Sequence, residues 1–224
     1  MKLQPNYLVW NIFFGLLGIV MVVILINYAA GLTKYSAWGT VGVMMVLATI
    51  FGFLRRRTEK FVSGYAGEGD IDRELKGLDG NFVYISEGLD TGRGNIDKIV
   101  IGPTGVWVLE VKSHKGNITF DGQTLLRDGK SFENNFLSQA YAEAKTLEEH
   151  IKSQLNIEVP VQPVLVFSSK GAVVKLEHKK YRGVFVIQKS LLIKLISEAS
   201  TQNFPKDIQM RIRSTLNMET QKQG

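Results

Sequence analysis

The chain has 224 residues, 45% hydrophobic and 21% charged, which excludes whole-chain disorder and leaves room for one ordinary globular domain plus a more apolar part. The 22 glycines and 5 prolines follow no period, so collagen-like and low-complexity chains are excluded. The absence of cysteine excludes a disulfide framework, a thiolate zinc site and a cysteine nucleophile. The net charge of +6 is uneven: Lys2, Lys34, Arg55, Arg56 and Arg57 are the only charged residues before position 58, and the rest of the chain is almost neutral.

From Leu8 to Ala30 the chain carries no charge, and as a helix this run would span roughly 34 Å, enough to cross a bilayer core. A second uncharged run, Tyr35 to Leu54, is also long enough, and the short connection through Lys34 makes the pair a helical hairpin. Trp10, Tyr28, Tyr35 and Trp38 fall near the ends of the runs, where amphipathic rings favour the interface. Arg55-Arg56-Arg57 directly after the second run places the hairpin loop outside, and both the N-terminus and everything after Leu54 in the cytoplasm. The expectation is a multi-pass cell-membrane protein with a transmembrane hairpin and basic flank over 1–57 and a cytoplasmic domain over 58–224. A cleaved signal peptide fits poorly, because the apolar core is over-long and a second run follows at once.

In the second part, Tyr65–Leu78 has helical spacing and Phe82–Ser86 reads as a short strand, followed by a polar, glycine-rich loop over 87–95. Ile96–Ile101 and Val106–Lys112 flank Gly102-Pro103-Thr104-Gly105, which predicts a β-hairpin. Asn117–Phe120 and Thr124–Arg127 flank Asp121-Gly122 and extend the sheet with small antiparallel strands. Asn135–Leu155 is the longest helix outside the apolar runs, with Ala140, Ala144, Leu147 and Ile151 as its buried stripe. Val161–Phe167, almost wholly apolar, suits the interior of a sheet; Val184–Ile187 is a further strand, and Ser190–Ser200 and Pro205–Met218 are closing helices. The order predicts an α/β fold with a mixed sheet and flanking helices.

The hairpin carries the chemistry. A symmetric turn over 102–105 pairs Ile101 with Val106, Ile99 with Val108, and Asp97 with Glu110, so two carboxylates stand side by side. Lys112 projects from the same face as Glu110, and Val111 faces away with its carbonyl beside the carboxylates. Opposed like charges destabilise a hairpin unless something positive sits between them, and Mg2+ or Mn2+, bound by one or two carboxylates plus water and phosphate, would do so. A lysine next to such an ion suits phosphodiester hydrolysis. An isolated D…ExK spacing is more often a solvated charge cluster; here the acids sit inside strongly apolar strands.

The stretch resembles the nuclease-related domain family, a branch of the PD-(D/E)xK nuclease superfamily. The resemblance spans about residues 61–152 and rests on four motifs in order: Gly64-x-x-Gly67-Glu68, Asp97, Glu110-Val111-Lys112 with Lys115-Gly116-Asn117-Ile118 behind it, and Gln139. It implies a restriction-endonuclease-like core. It also implies a site in which Asp97, Glu110 and the Val111 carbonyl hold the metal, Lys112 acts on the water, Glu68 assists, and Gln139 orients a ligand or touches substrate. Ser113 and His114 stand where the family often has an asparagine and an aromatic residue.

Lys170, Lys175, Lys179, Lys180 and Arg182, against Glu177 alone, form a basic segment that would attract a phosphate backbone without reading bases; a solubilising loop would look the same. The resulting expectation is a membrane-anchored, metal-dependent nuclease with DNA ahead of RNA as substrate and lipid as its other partner. Its rivals are a catalytically silent module that binds nucleic acid or protein at the membrane, and a scaffold whose apolar hairpin is the functional part.

Overall fold

A glycine at each end of a four-residue turn lets two apolar strands fold back on one another, and Gly105, at φ +116°, takes a backbone conformation that other residues rarely adopt. Trp107 Nε1 donates to Thr104 Oγ1 across this turn at 3.2 Å. In the computed structural model, which describes residues 69–85, 89–90, 95–199 and 204–223 together with scattered positions between 15 and 52, these strands lie inside a six-stranded sheet.

The chain divides into two compact units, Met1–Tyr65 and Ala66–Gly224. In the first, the described positions are helical, and Ile19, Met21, Val22, Leu25, Met45 and Val46 are exposed. Among the described residues no helix is long and apolar enough to cross a membrane. The expected span ends Leu8, Ala30, Tyr35 and Leu54 lie outside the described residues.

The second unit opens with a helix whose described residues are 69–75 (α1). Then follow β1 Val83–Ile85, β2 Leu89–Asp90, β3 Asn95–Ile96, β4 Lys98–Gly102, β5 Gly105–Lys112, β6 Gly116–Phe120, β7 Leu125–Arg127 and β8 Lys130–Ser131. After the long helix α2 Phe136–Leu155 come β9 Val161–Phe167, β10 Ala172–Val174, β11 Lys180–Tyr181 and β12 Val184–Gln188. A 3-10 turn, Lys189–Leu191, leads into α3 Leu192–Glu198, and α4 Lys206–Gln223 closes the chain.

The large sheet runs β1-β4-β5-β9-β12-β11, with β5, β9 and β12 parallel and the remaining pairs antiparallel. A four-stranded sheet, β10-β6-β7-β8, is also mixed, because β10 joins β6 in parallel. Two mixed sheets with flanking helices fit a nuclease-like core.

One face of the large sheet presents Ile99, Ile101, Val106 and Val108 to Ala144, Leu147 and Ile151 of α2 and to Ile212 and Leu216 of α4. The other presents Val100, Trp107, Leu109, Val164 and Val166 to Ile71 and Leu75 of α1 and to Leu192 and Ile196 of α3. Each such buried side chain stabilises the fold by about 1.5–3 kcal/mol relative to exposure. Helix α2 is capped at both ends: the Asn135 side chain accepts from Ser138 N at 3.1 Å, and Asn156, at φ 52°, donates its N–H to Lys152 O at 2.9 Å.

Three features depart from expectation. The first hairpin strand is broken at Asp97, between β3 and β4, although the register beyond it is the expected one, Ile101 opposite Val106 and Ile99 opposite Val108. The first helix stops at 75, where Gly77 N bonds to Glu74 O at 2.8 Å and tightens the chain into a turn. The strands β8, β10 and β11 carry no sequence pattern of their own and form by pairing with longer neighbours.

Candidate active site

Strand β5 alternates so that Val106, Val108, Glu110 and Lys112 face α2. Glu110 is therefore an acid in an apolar column, only 1% exposed. Its Oε1 is ion-paired with Lys112 Nζ, and the carboxylate also shares a hydrogen bond with Glu143 of α2. Lys112 is 21% exposed, and its ammonium lies 4.9 Å from the centre of the Phe136 ring.

Asp97 occupies the break before β4. Its Oδ2 accepts the Val111 N–H at 3.0 Å, so a backbone donor of β5 fixes the carboxylate beside Glu110. The N–H and C=O of one strand residue point toward the same neighbour, which also turns the Val111 carbonyl to the Asp97 side. The adjoining Lys112 carbonyl points the other way and accepts Ser168 N at 3.0 Å.

Gln139 lies in the second turn of α2 and donates from Nε2 to Glu143 Oε1 at 3.0 Å. Glu143 was not anticipated from sequence, although its i, i+4 spacing from Gln139 on a helix with a defined buried stripe was the available signal. It is half-buried, and its carboxyl shares a hydrogen bond with Glu110. Burial first, and the neighbouring Glu110 charge second, push its carboxyl up to about 8, with the Gln139 amide opposing. Burial and the Asp97 charge likewise raise Glu110, against the opposing pull of the Lys112 ammonium.

Three carboxylates thus feel one another across the space between β5 and α2, and Lys112 is the cation paired with Glu110. The donor set is all oxygen and largely buried, and it suits a hard divalent cation. Among the described residues no three His, Cys, Asp or Glu side chains form a ready-made metal cage. An ion here would rest on one or two carboxylates and complete its shell with water and substrate, as magnesium does.

The remaining expected residues are dispersed. Glu68 lies outside the described residues, but the helix that follows it is anchored at this end of the sheet: Lys98, the residue after Asp97, meets Asp72 at 2.7 Å, and Lys189 meets Asp70 at 3.0 Å. The side chains of the basic segment take several partners. Lys179 pairs with Glu177, Lys180 bonds to Gln162 and lies over Phe185, and Arg182 donates to Gln123 O at 3.2 Å. Lys170 and Lys175 stand apart from these, beside β10 and exposed.

A mixed sheet with an acid pair and a lysine at the carboxyl end of a central parallel strand fits a nuclease-like α/β core. Residues 63–168, a little under half of the chain, match the family described as NERD, nuclease-related domain, which supports the resemblance read from the motifs. The match runs from before α1 through β9 and includes Asp97, Glu110, Lys112, Gln139 and Glu143. No curated protein and no solved structure matches the chain.

Proposed function

We propose that this chain is a membrane-anchored nuclease that hydrolyses phosphodiesters in nucleic acid with Mg2+ or Mn2+. The observation that supports the reading most directly is Glu110: an acid 1% exposed in an apolar strand, beside Asp97, Glu143 and Lys112. Burying a charge costs several kcal/mol unless it is compensated, so this arrangement makes physical sense when a cation is used there. Asp97, Glu110 and the Val111 carbonyl would hold the ion. When bound, it supplies Lewis-acid polarisation of a phosphoryl oxygen and a more acidic water.

The chain's own residues do the rest. Lys112 stands where its ammonium can hold the attacking water and offset charge that builds up on the phosphorus centre. Phe136, packed under Lys112, keeps the amine from swinging away. Gln139, tied to Glu143, presents its carbonyl oxygen toward a ligand, and Glu68 assists from ahead of α1. DNA stands ahead of RNA as substrate.

Anchoring rests on the two uncharged runs and on the exposed apolar residues at helical positions between 15 and 52, which in water would face solvent on several sides. The triple arginine after the second run supports a cytoplasmic domain.

The test is cleavage of labelled single- and double-stranded DNA and RNA by the full chain in detergent, with and without Mg2+ or Mn2+, beside Asp97→Ala and Lys112→Ala. Metal-dependent cleavage lost in both variants is expected. Folded protein that neither cleaves nor takes up metal in calorimetry would replace the nuclease with a silent nucleic-acid or protein binding module.

A further inference from the structure

Beyond Lys112, the site face of β5 continues into a run of rings and cations that no motif predicts. The Lys112 ammonium lies 4.9 Å from the Phe136 ring centre, Phe136 and Phe132 are 4.9 Å apart, and the Arg127 guanidinium lies 5.8 Å over Phe132. His114, two residues past Lys112 and on the same face, meets Phe132 edge-on at 5.2 Å. Arg127 is paired across the small sheet with Lys130, and both are exposed. The adjoining acid, Asp128, is held by Asn117 through its backbone N–H at 2.8 Å and its side-chain amide at 3.0 Å and offsets part of the Arg127 charge, which leaves two cations against one acid at this step.

We propose that this step is a nucleotide subsite for an unpaired strand leading into the cleavage centre, an inference that rests on the nuclease reading and specifies its substrate. The base of the nucleotide next to the scissile phosphate packs on the half-buried ring edges of Phe132 and His114. The following phosphate meets Arg127 and Lys130 while the scissile phosphate meets Lys112. A duplex cannot use the subsite, because its bases are stacked on one another and turn only phosphates and groove edges outward. Ring surfaces between cations are the elements that hold single strands without sequence preference.

The test is fluorescence anisotropy of the full chain in detergent and EDTA, where cleavage cannot intervene, with one labelled oligonucleotide alone and in duplex, across a salt series. The single strand is expected to bind more tightly. Phe132→Leu should cost about 5- to 150-fold in single-strand affinity and leave the duplex unaffected. Arg127→Gln should reduce the slope of log affinity on log salt by about 0.7, and Lys152→Gln, at the far end of α2, should change nothing. If Phe132→Leu melts early, the exposed Arg127→Gln carries the test. Equal or tighter binding of the duplex overturns the proposal, as does unchanged single-strand binding in either folded variant. Either of these results, with nucleic acid still bound, removes this subsite alone, whereas no binding of any nucleic acid at low salt removes the nuclease reading with it.

Discussion

Glu143→Gln offers the sharpest test of the electrostatics around Glu110. The carboxyl of Glu143 has an ordinary value of 4.5 and is pushed up to about 8 by burial and the Glu110 charge. Below pH 4.5 it is protonated in both folded and unfolded chains and has no effect. Between 4.5 and 8 the unfolded chain ionises first, so stability present at low pH is lost as pH rises, and the loss is complete above about 8. At about 1.4 kcal/mol per pH unit the upper bound is about 5 kcal/mol, and the partial exposure of the side chain reduces the expected loss to about 1–3 kcal/mol. In EDTA, Glu143→Gln should therefore melt above the parent at pH 8.5 and close to it at pH 5, and the gap should shrink when Mg2+ is added to the parent. Thermal melts in detergent at pH 5, 7 and 8.5 read this directly. Parallel pH curves for the two proteins would refute the reasoning, since they would mean that Glu143 is ionised without penalty.

Three further outcomes follow from other parts of the molecule. Lys98 is 2% exposed and paired with Asp72 at 2.7 Å, so Lys98→Met should destabilise by about 1–3 kcal/mol in urea unfolding, and Lys98→Met/Asp72→Asn should recover part of that. At Gly102 an added Cβ would fall 2.1 Å from the Phe82 ring; Gly102→Ala should cost about 1–3 kcal/mol in the same assay, and Gly102→Ala/Phe82→Leu less. Because the chain lacks cysteine, single cysteines at Lys34 and Thr58 should label from opposite sides of the membrane with an impermeant reagent, and labelling of Thr58 from outside would reverse the orientation.

What the sequence made legible was local. The Gly102–Gly105 turn chemistry sets the hairpin register, and that register puts Glu110 and Lys112 on the face the structure shows. The stripe Ala140, Ala144, Leu147 and Ile151 is buried as its spacing predicts, and the apolar run Val161–Phe167 is an interior strand. What stayed hidden depends on partners distant in the chain. Ala172–Val174 is a strand because it lies beside Gly116–Ile118, and three residues hold too little pattern to announce that. Lys180 and Arg182 read as a charge run, yet their partners Gln162 and Gln123 come from other strands and loops. The break at Asp97 is tertiary too, since its side chain leaves the strand pattern to take the Val111 N–H.

Glu143 marks a middle ground, legible once topology is known. Parallel β5 and β9 require a crossover, and the helix that supplies it, α2, returns antiparallel to β5 over the sheet face. Its far turns, with Leu147 and Ile151, meet Val106 and Val108 near the start of β5, whereas its first turns, with Phe136 and Leu137, pack with Phe167 at the end of β9. Side chains at the carboxyl end of β5 must therefore face the first two turns of α2. With Glu110 and Lys112 fixed there, a polar residue on the inner side of residues 136–143 enters the site by construction. Glu143, half-buried, is the one that does, and the exposed Gln139 is linked to it at 3.0 Å. The site is thus a property of the crossover unit, and changes in α2 that rotate its first turns should disturb Glu110 even where they leave the apolar stripe intact.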